Sequence, residues 1–257
     1  MQTSWEASAS WYDKLVGPQG HYYHQQVIIP GVLNILEREK RAQPHLLDLA
    51  CGQGVLARHL PKGIKYLGVD ASSSLLDAAK SHQIKGQHQF FLHDLSHPLA
   101  LPFREFTYAT SILALQNMVN PLSLLRTAYA HLRPDAAFII VINHPCFRIP
   151  RQSSWGVDPQ KKWQFRRVDR YLSPLKIPLQ AHPSQEEQSE TLWSFHLPLS
   201  HYSRLLRQAG FLIDTIEEWC SDKKSSGKNA AMENKSRSEF PLFMAIVARK
   251  TSSSLGA

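Results

Sequence analysis

Four residues of the chain, Asp48, Gly52, Gly54 and Asp70, have types and spacing that could bind a nucleotide. Two carboxylates can hold a cation or the hydroxyls of a ribose, and closely spaced glycines let a backbone come near a ligand. Asp48 lies in a short apolar run, Leu46, Leu47 and Leu49, that reads as a buried strand. Gly52 and Gly54 form a Gly-x-Gly turn behind it, and a helical stripe starts at Val55, Leu56 and Leu60. Lys65–Asp70 reads as the next strand with Asp70 at its carboxyl end. An acid ~20 residues past a glycine turn is placed to accept both hydroxyls of a ribose. Gly52 and Gly54 alone would mark only a tight turn, so the two acids carry the reading.

The stretch Asp48-Leu49-Ala50-Cys51-Gly52-Gln53-Gly54 resembles the first motif of class I S-adenosylmethionine-dependent methyltransferases. A dinucleotide dehydrogenase would want a third glycine where Ala57 stands. A carboxylate at Asp48 suits the ammonium of a bound methionine better than a pyrophosphate. The resemblance covers roughly residues 45–145 and 199–250. It implies an α/β fold: a Rossmann-like seven-stranded sheet, last strand antiparallel, with helices on both faces. It also implies S-adenosyl-L-methionine as cofactor and S-adenosyl-L-homocysteine as product; the sequence shows no metal-ligand spacing, so no metal is expected. Carried over, the cofactor residues are Asp48, Ala50, Gly52, Gly54, Asp70, Ala71, Asp94, Leu95 and Leu113. Asp94 and Leu95 close a third strand, His88–Leu95, at the position where the family meets the adenine; a loop-capping carboxylate is the alternative for Asp94. The fourth strand, Phe106–Leu115, ends beside the transferring methyl and places Leu113, Leu115, Gln116 and Asn117 there. It lacks the Pro-Pro-Tyr/Phe element of many amino-group methyltransferases. The letters Asn143-His144-Pro145-Cys146-Phe147 look similar but end the next strand, Ala136–Ile142. Leu205-Leu206-x-x-Ala209-Gly210-Phe211 matches the family's late helix and sixth strand, Phe211–Trp219, and Pro241–Lys250 its seventh.

Two regions lie outside the resemblance. Residues 1–44 are expected to form a helical cap, with Trp11-Tyr12-Asp13 similar to the family's lid over the cofactor. Trp11 is then a substrate contact and Tyr12 a catalytic candidate; the alternative is that these aromatics only pack a cap. Residues 146–198, roughly fifty in number, are too many for a structureless loop. Alternation over residues 161–171 predicts a strand, paired with residues 189–196, in a small antiparallel insertion within a domain spanning 45–250. Ligands of open α/β sheets sit at the carboxyl ends of the strands, so the insertion is the expected substrate-specificity element. Arg148 and Arg151, just past strand five, are placed to reach a carboxylate or phosphate. The insertion is basic, with Lys161, Lys162, Arg166, Arg167 and Arg170 interleaved with Trp155, Trp163, Phe165 and Tyr171. That composition fits nucleic acid, one acidic small molecule, or a solvated face over an aromatic core. Residues 221–239 have the composition of a mobile loop, and residues 251–257 that of a disordered tail.

The chain has 257 residues, 43% of them hydrophobic, and no run near the ~18 apolar residues that span a membrane. Its start has no signal-peptide pattern. Three cysteines, Cys51, Cys146 and Cys220, without Cys-x-x-Cys spacing read as reduced thiols of a cytoplasmic protein. A net charge of +8 permits acidic partners without naming one. The expected partner is a small-molecule acceptor, with nucleic acid as a possibility and a monomer or weak dimer as the state. Oxygen acceptors often need a general base, and among thirteen histidines His144, His196 and His201 are the candidates. RNA or protein methylation through residues 148–171, non-catalytic cofactor binding, and an NAD-dependent oxidoreductase are the competing readings.

Overall fold

A computed structural model describes residues 6, 9, 13, 16, 17, 19–101, 103–180 and 191–250. Trp11, Tyr12 and the tail from residue 251 lie outside the described residues.

The strands in chain order are β1 (His45–Leu49), β2 (Lys65–Asp70), β3 (His88–Leu92), β4 (Phe106–Ile112), β5 (Leu132–Asn143), β6 (Ser153–Asp158), β7 (Trp163–Val168), β8 (Leu175–Gln180), β9 (Thr191–His196), β10 (Phe211–Trp219) and β11 (Phe243–Lys250). Seven of them form one sheet in the order β10-β11-β5-β4-β1-β2-β3. The pairs β1–β2, β2–β3, β1–β4 and β4–β5 are parallel. β11 runs antiparallel to both β5 and β10. The anticipated sheet, with its last strand antiparallel, is the one found. β4 and β5 are buried over most of their length because helices cover both faces, which is why Ala136–Ile142 of β5 reads as an unbroken apolar run.

The helices are α1 (Ile29–Arg38), entered through a π-helical turn at His24–Ile28, then α2 (Val55–His59), α3 (Ser73–Ser81), α4 (Pro121–His131), α5 (Leu199–Gln208) and α6 (Ala230–Glu239). On one side of the sheet Leu47, Leu49, Phe138, Ile140 and Ile142 meet Leu124, Leu125 and Leu206 from α4 and α5. On the other side Leu46, Tyr108, Ile139 and Val141 meet Val32, Ile35 and Leu56 from α1 and α2. α1 approaches β10 so closely that a methyl group on Gly31 would fall 2.5 Å from the Trp219 ring. Residues 24–38, part of the expected cap, are thus packed into the sheet's second core.

Four expectations are corrected. The third strand stops at Leu92, because Asp94 turns the chain by accepting the Ser96 N–H at 2.9 Å. β5 begins at Leu132 rather than Ala136, with a register shift opposite residues 106–108. The insertion is two hairpins: β7 pairs with β6, and β9 with β8. The alternation over residues 161–171 runs across the break, where Arg170 turns at φ +56°. The expected mobile loop contains α6, held by polar contacts that leave no apolar stripe. Ser236 Oγ donates to the Gln164 carbonyl at 3.1 Å, and Glu233 pairs with Arg237 at 3.5 Å.

Candidate functional site

The chain leaves β1 through a turn with φ of +61° at Ala50, +55° at Gly52 and +70° at Gly54. Glycine tolerates this conformation without the clash a Cβ brings. A Cβ on Gly52 would meet nothing within 4 Å, so the turn faces open space; one on Gly54 would press on Ala79 and Phe90 at 3.2 Å. The turn is fastened to the end of β2. Gly52 N–H donates to Asp70 Oδ2 at 2.8 Å and Ser72 N–H to Oδ1 at 2.9 Å. Burial raises the pKa of Asp70, and those N–H groups oppose the shift. Each carboxylate oxygen has a second lone pair, so Asp70 retains acceptor capacity at the edge of that space.

Asp48 does a different job. It is 3% exposed, and its oxygens accept the Thr110 hydroxyl at 2.7 Å and the Tyr66 hydroxyl at 2.8 Å. The carboxylate therefore ties β1 to both neighbours from beneath the turn. Burial pushes its pKa up to about 6, against the two hydroxyl donors. Gly68 makes room for this arrangement: a Cβ there would fall 2.7 Å from Cys51 Sγ and 2.9 Å from the Tyr66 ring. Gly68→Ala is expected to cost about 1–3 kcal/mol by overpacking a sheet interior that cannot yield. Denaturant unfolding checks it: a midpoint equal to wild type would mean that Tyr66 moves aside freely.

The remaining strand ends converge on the same edge. Leu113 follows β4 at φ +55° and donates its N–H to the Val141 carbonyl at 2.7 Å. Asp94 lies past β3, one oxygen on the Ser96 N–H and the other 3.5 Å from His97 Nδ1, as a loop-capping carboxylate does. Leu95 is buried in the core, Ala50 is half-buried and Ala71 exposed. Glu6 was not foreseen. Its carboxylate accepts the Ser72 and Ser74 hydroxyls at 2.5 Å at the start of α3, which lowers its pKa to about 2. Glu6 is thereby held near Asp70. β1 has β2 on one side and β4 on the other, so these groups surround the point where strand order reverses, the usual ligand position in such sheets.

Next to this edge, β9 packs on the 3-10 turn Leu115–Asn117, which also contacts β5. Between them is a small, partly open cavity. Gln116, Asn143, Arg148, Ser194, His196 and Tyr202 supply its polar lining. Gln116 Oε1 and Arg148 Nη1 are buried without a hydrogen-bond partner. His196 Nε2 lies 2.7 Å from the Tyr171 carbonyl, which can only accept, so Nε2 carries the proton and Nδ1 keeps a lone pair. Burial lowers the His196 pKa and raises that of Tyr202.

His144 is placed otherwise. Its Nδ1 accepts the Cys146 N–H at 3.2 Å, its Nε2 donates to Glu218 at 2.6 Å, and its ring stacks on Phe147. With both nitrogens engaged it has no site for a substrate proton, and it does not line the cavity. Asn117 closes the 3-10 turn by donating to the Leu113 carbonyl at 3.1 Å. Arg151 is exposed in a turn at φ +59°, and neither residue lines the cavity. His201 is half-buried on α5. Among the described residues no group of three or more His, Cys, Asp or Glu is placed to hold a metal. None of their helices is long and apolar enough to cross a membrane.

A family model described as a methyltransferase domain matches residues 20–216. The chain belongs to the methyltransferase domain family. The resemblance first seen in Asp48–Gly54 is therefore borne out. The chain is similar to an S-adenosylmethionine-dependent methyltransferase from Mesorhizobium loti, with 24% identity and a TM-score of 0.65 over 84% of this chain and 96% of that one. It is also similar to ubiquinone biosynthesis O-methyltransferases. The protein from Actinobacillus pleuropneumoniae serotype 7 is 25% identical over 53% of this chain and 61% of its own length. Those from Coxiella burnetii are 29% identical over 49% of this chain and 56% of theirs. The chain thus spans about three fifths of the length of these curated relatives. The methyltransferase domain supplies an open space above Gly52 and spare acceptor capacity at Asp70, and both fit the nucleoside of S-adenosylmethionine. Sequence reasoning missed Tyr66, Thr110 and Gly68, which hold Asp48, and Ser194 and Tyr202 on the cavity wall. A glycine inside an otherwise apolar strand was the available signal for Gly68.

Proposed function

We propose that this protein transfers a methyl group from S-adenosylmethionine to an oxygen of a small molecule seated in the cavity under β9, with His196 as general base. One observation carries the reading: His196, its proton held on Nε2 by the Tyr171 carbonyl so that Nδ1 keeps a lone pair, is among the residues that line a cavity beside the methyltransferase motifs. Gly52, Gly54 and Asp70 hold the nucleoside end, and Leu113 borders the reacting end. S-adenosylmethionine, when bound, supplies a methyl carbon on a cationic sulfur. The chain's own residues do the rest. The hairpin β8–β9 shields the acceptor from water, and Tyr171 fixes the His196 tautomer. His196 Nδ1 takes the hydroxyl proton as the oxygen attacks. Holding both partners in line accounts for much of the acceleration in such a site. The names of the curated relatives, O-methyltransferases, support an oxygen acceptor.

The basic hairpin β6–β7, with exposed Trp155, Trp163 and Phe165, contributes nothing to the cavity lining, which favours a small acceptor over RNA. Arg166 is structural there. It donates to the Phe147 carbonyl at 2.7 Å and Ser153 Oγ at 2.8 Å, and lies over the Trp155 ring. Three free thiols, Cys51, Cys146 and Cys220, support a cytoplasmic setting. Calorimetric titration with S-adenosylmethionine, S-adenosylhomocysteine and NAD tests the cofactor. Micromolar binding of the first two and none of NAD is expected. Absence of the first two would reduce the reading to a fold likeness.

A further inference from the structure

We propose that the methyl acceptor is a hydroxylated carboxylate, with its carboxylate on Arg148 and a hydrogen-bond donor on Gln116. This rests on the reading of the cavity as the acceptor site and adds the class of molecule that fills it.

Two unmet requirements on one wall lead to it. Arg148 Nη1 is buried and has no hydrogen-bond partner. Its guanidinium lies 5.0 Å from the centre of the Phe243 ring, a contact that attracts a cation but takes none of its N–H groups. The groups that act on its charge are the Tyr23 phenol and the Arg166 guanidinium, and no carboxylate is among them. A buried guanidinium without an anion is costly, and arginine is never relieved by losing its proton. Elsewhere on the sheet, by contrast, Arg249 meets Glu39 and Asp214, and Arg38 meets Glu217.

Gln116 adds the second requirement. It is 8% exposed, and its Oε1 is buried without a donor. An unsatisfied buried acceptor costs about 1–3 kcal/mol, which a ligand hydroxyl or amide N–H would recover. His196, whose Nδ1 is a further acceptor, and the hydroxyl-bearing Ser194 and Tyr202 line the same cavity. A ligand that satisfies this wall has one anionic group and hydroxyl donors. A carboxylate matches the planar guanidinium edge with paired oxygens.

The test uses matched pairs: hydroxybenzoates and short hydroxyalkanoates, each beside its primary amide. Each pair is titrated calorimetrically into the full chain with and without saturating S-adenosylhomocysteine. At least one carboxylate is expected to bind tenfold or more tighter than its amide, about 1.4 kcal/mol. Arg148→Gln is expected to erase that preference. Gln116→Glu, which brings a competing carboxylate to the same wall without emptying it, is expected to weaken the carboxylate tenfold. S-adenosylhomocysteine affinity in both variants reports that the fold is intact. Equal binding of carboxylate and amide across the set, no binding by any carboxylate, or a preference that survives Arg148→Gln would overturn the assignment. A carboxylate preference in protein that takes no S-adenosylhomocysteine would keep the assignment and overturn the methyltransferase reading instead.

Discussion

His196→Gln is expected to lower kcat for methyl transfer by at least a hundredfold, with S-adenosylmethionine affinity within about threefold of wild type; loss of a positioned general base typically costs 10²–10⁴ in rate. Glutamine is the informative replacement. Its amide can still donate to the Tyr171 carbonyl, as Nε2–H does at 2.7 Å, so the wall of the cavity keeps its shape. What disappears is the second nitrogen, the only basic atom of that side chain near neutral pH. The pH profile separates this from a packing defect. Burial lowers the His196 pKa below its usual 6.5, so the neutral, proton-accepting form dominates at neutral pH and is lost only as pH falls below that value. The other groups on the cavity do not interfere in this range. Arg148 stays charged, and burial raises the Tyr202 phenol further from neutrality. Wild-type kcat should therefore be flat above about pH 6.5 and fall on the acid side. The variant should show a low rate without that acid limb. A variant that kept the limb, or lost less than tenfold in kcat, would remove His196 from the chemistry.

The histidines show where sequence legibility ended. Of the three candidates His144, His196 and His201 the sequence favours His144, yet a ring's usefulness is decided by what its two nitrogens touch. The Cys146 N–H and Glu218 occupy both nitrogens of His144. A single carbonyl, that of Tyr171, fixes His196 and leaves the other nitrogen available. Neither carbonyl nor N–H positions are written in residue types. The cofactor turn was legible for the opposite reason. Gly52, Gly54 and Asp70 belong to one strand-turn-helix-strand unit, and local spacing fixes its geometry. The cavity draws on the ends of β4 and β5, on β9 and on α5, so no single window of sequence contains it. Asp48 fell between the two cases. Its position is legible in the sequence, but its partners Tyr66 and Thr110 come from the flanking strands and cannot be read from the window around it. The same limit explains α6, whose contacts with Ser225 and Gln164 are polar and leave no apolar period to read.

Asp70→Ala is expected to weaken S-adenosylhomocysteine binding by about a hundredfold, the largest loss from any single change in the cofactor half of the site. Two contributions combine. In the free protein the carboxylate holds Gly52 N–H at 2.8 Å and Ser72 N–H at 2.9 Å, and so fixes the turn that the nucleoside must meet. Truncation leaves both donors without their partner and lets the turn relax, although φ of +55° at Gly52 is a conformation only glycine holds easily. The ligand then also loses the acceptors for its ribose hydroxyls. Hydrogen bonds to a charged group are worth about 1.5–3 kcal/mol each, so losing one or two of them amounts to roughly tenfold to ten-thousandfold. A hundredfold sits inside that range because relaxed backbone and water recover part of it. Asp70→Asn separates the contributions. Its one carbonyl oxygen can keep either the Gly52 or the Ser72 N–H but not both, so its affinity should fall between wild type and alanine. Calorimetry on the three proteins, with unfolding midpoints as a control, reads both effects. Equal affinities for all three would mean that the ribose is held elsewhere, and that Asp70 serves only to fasten the turn.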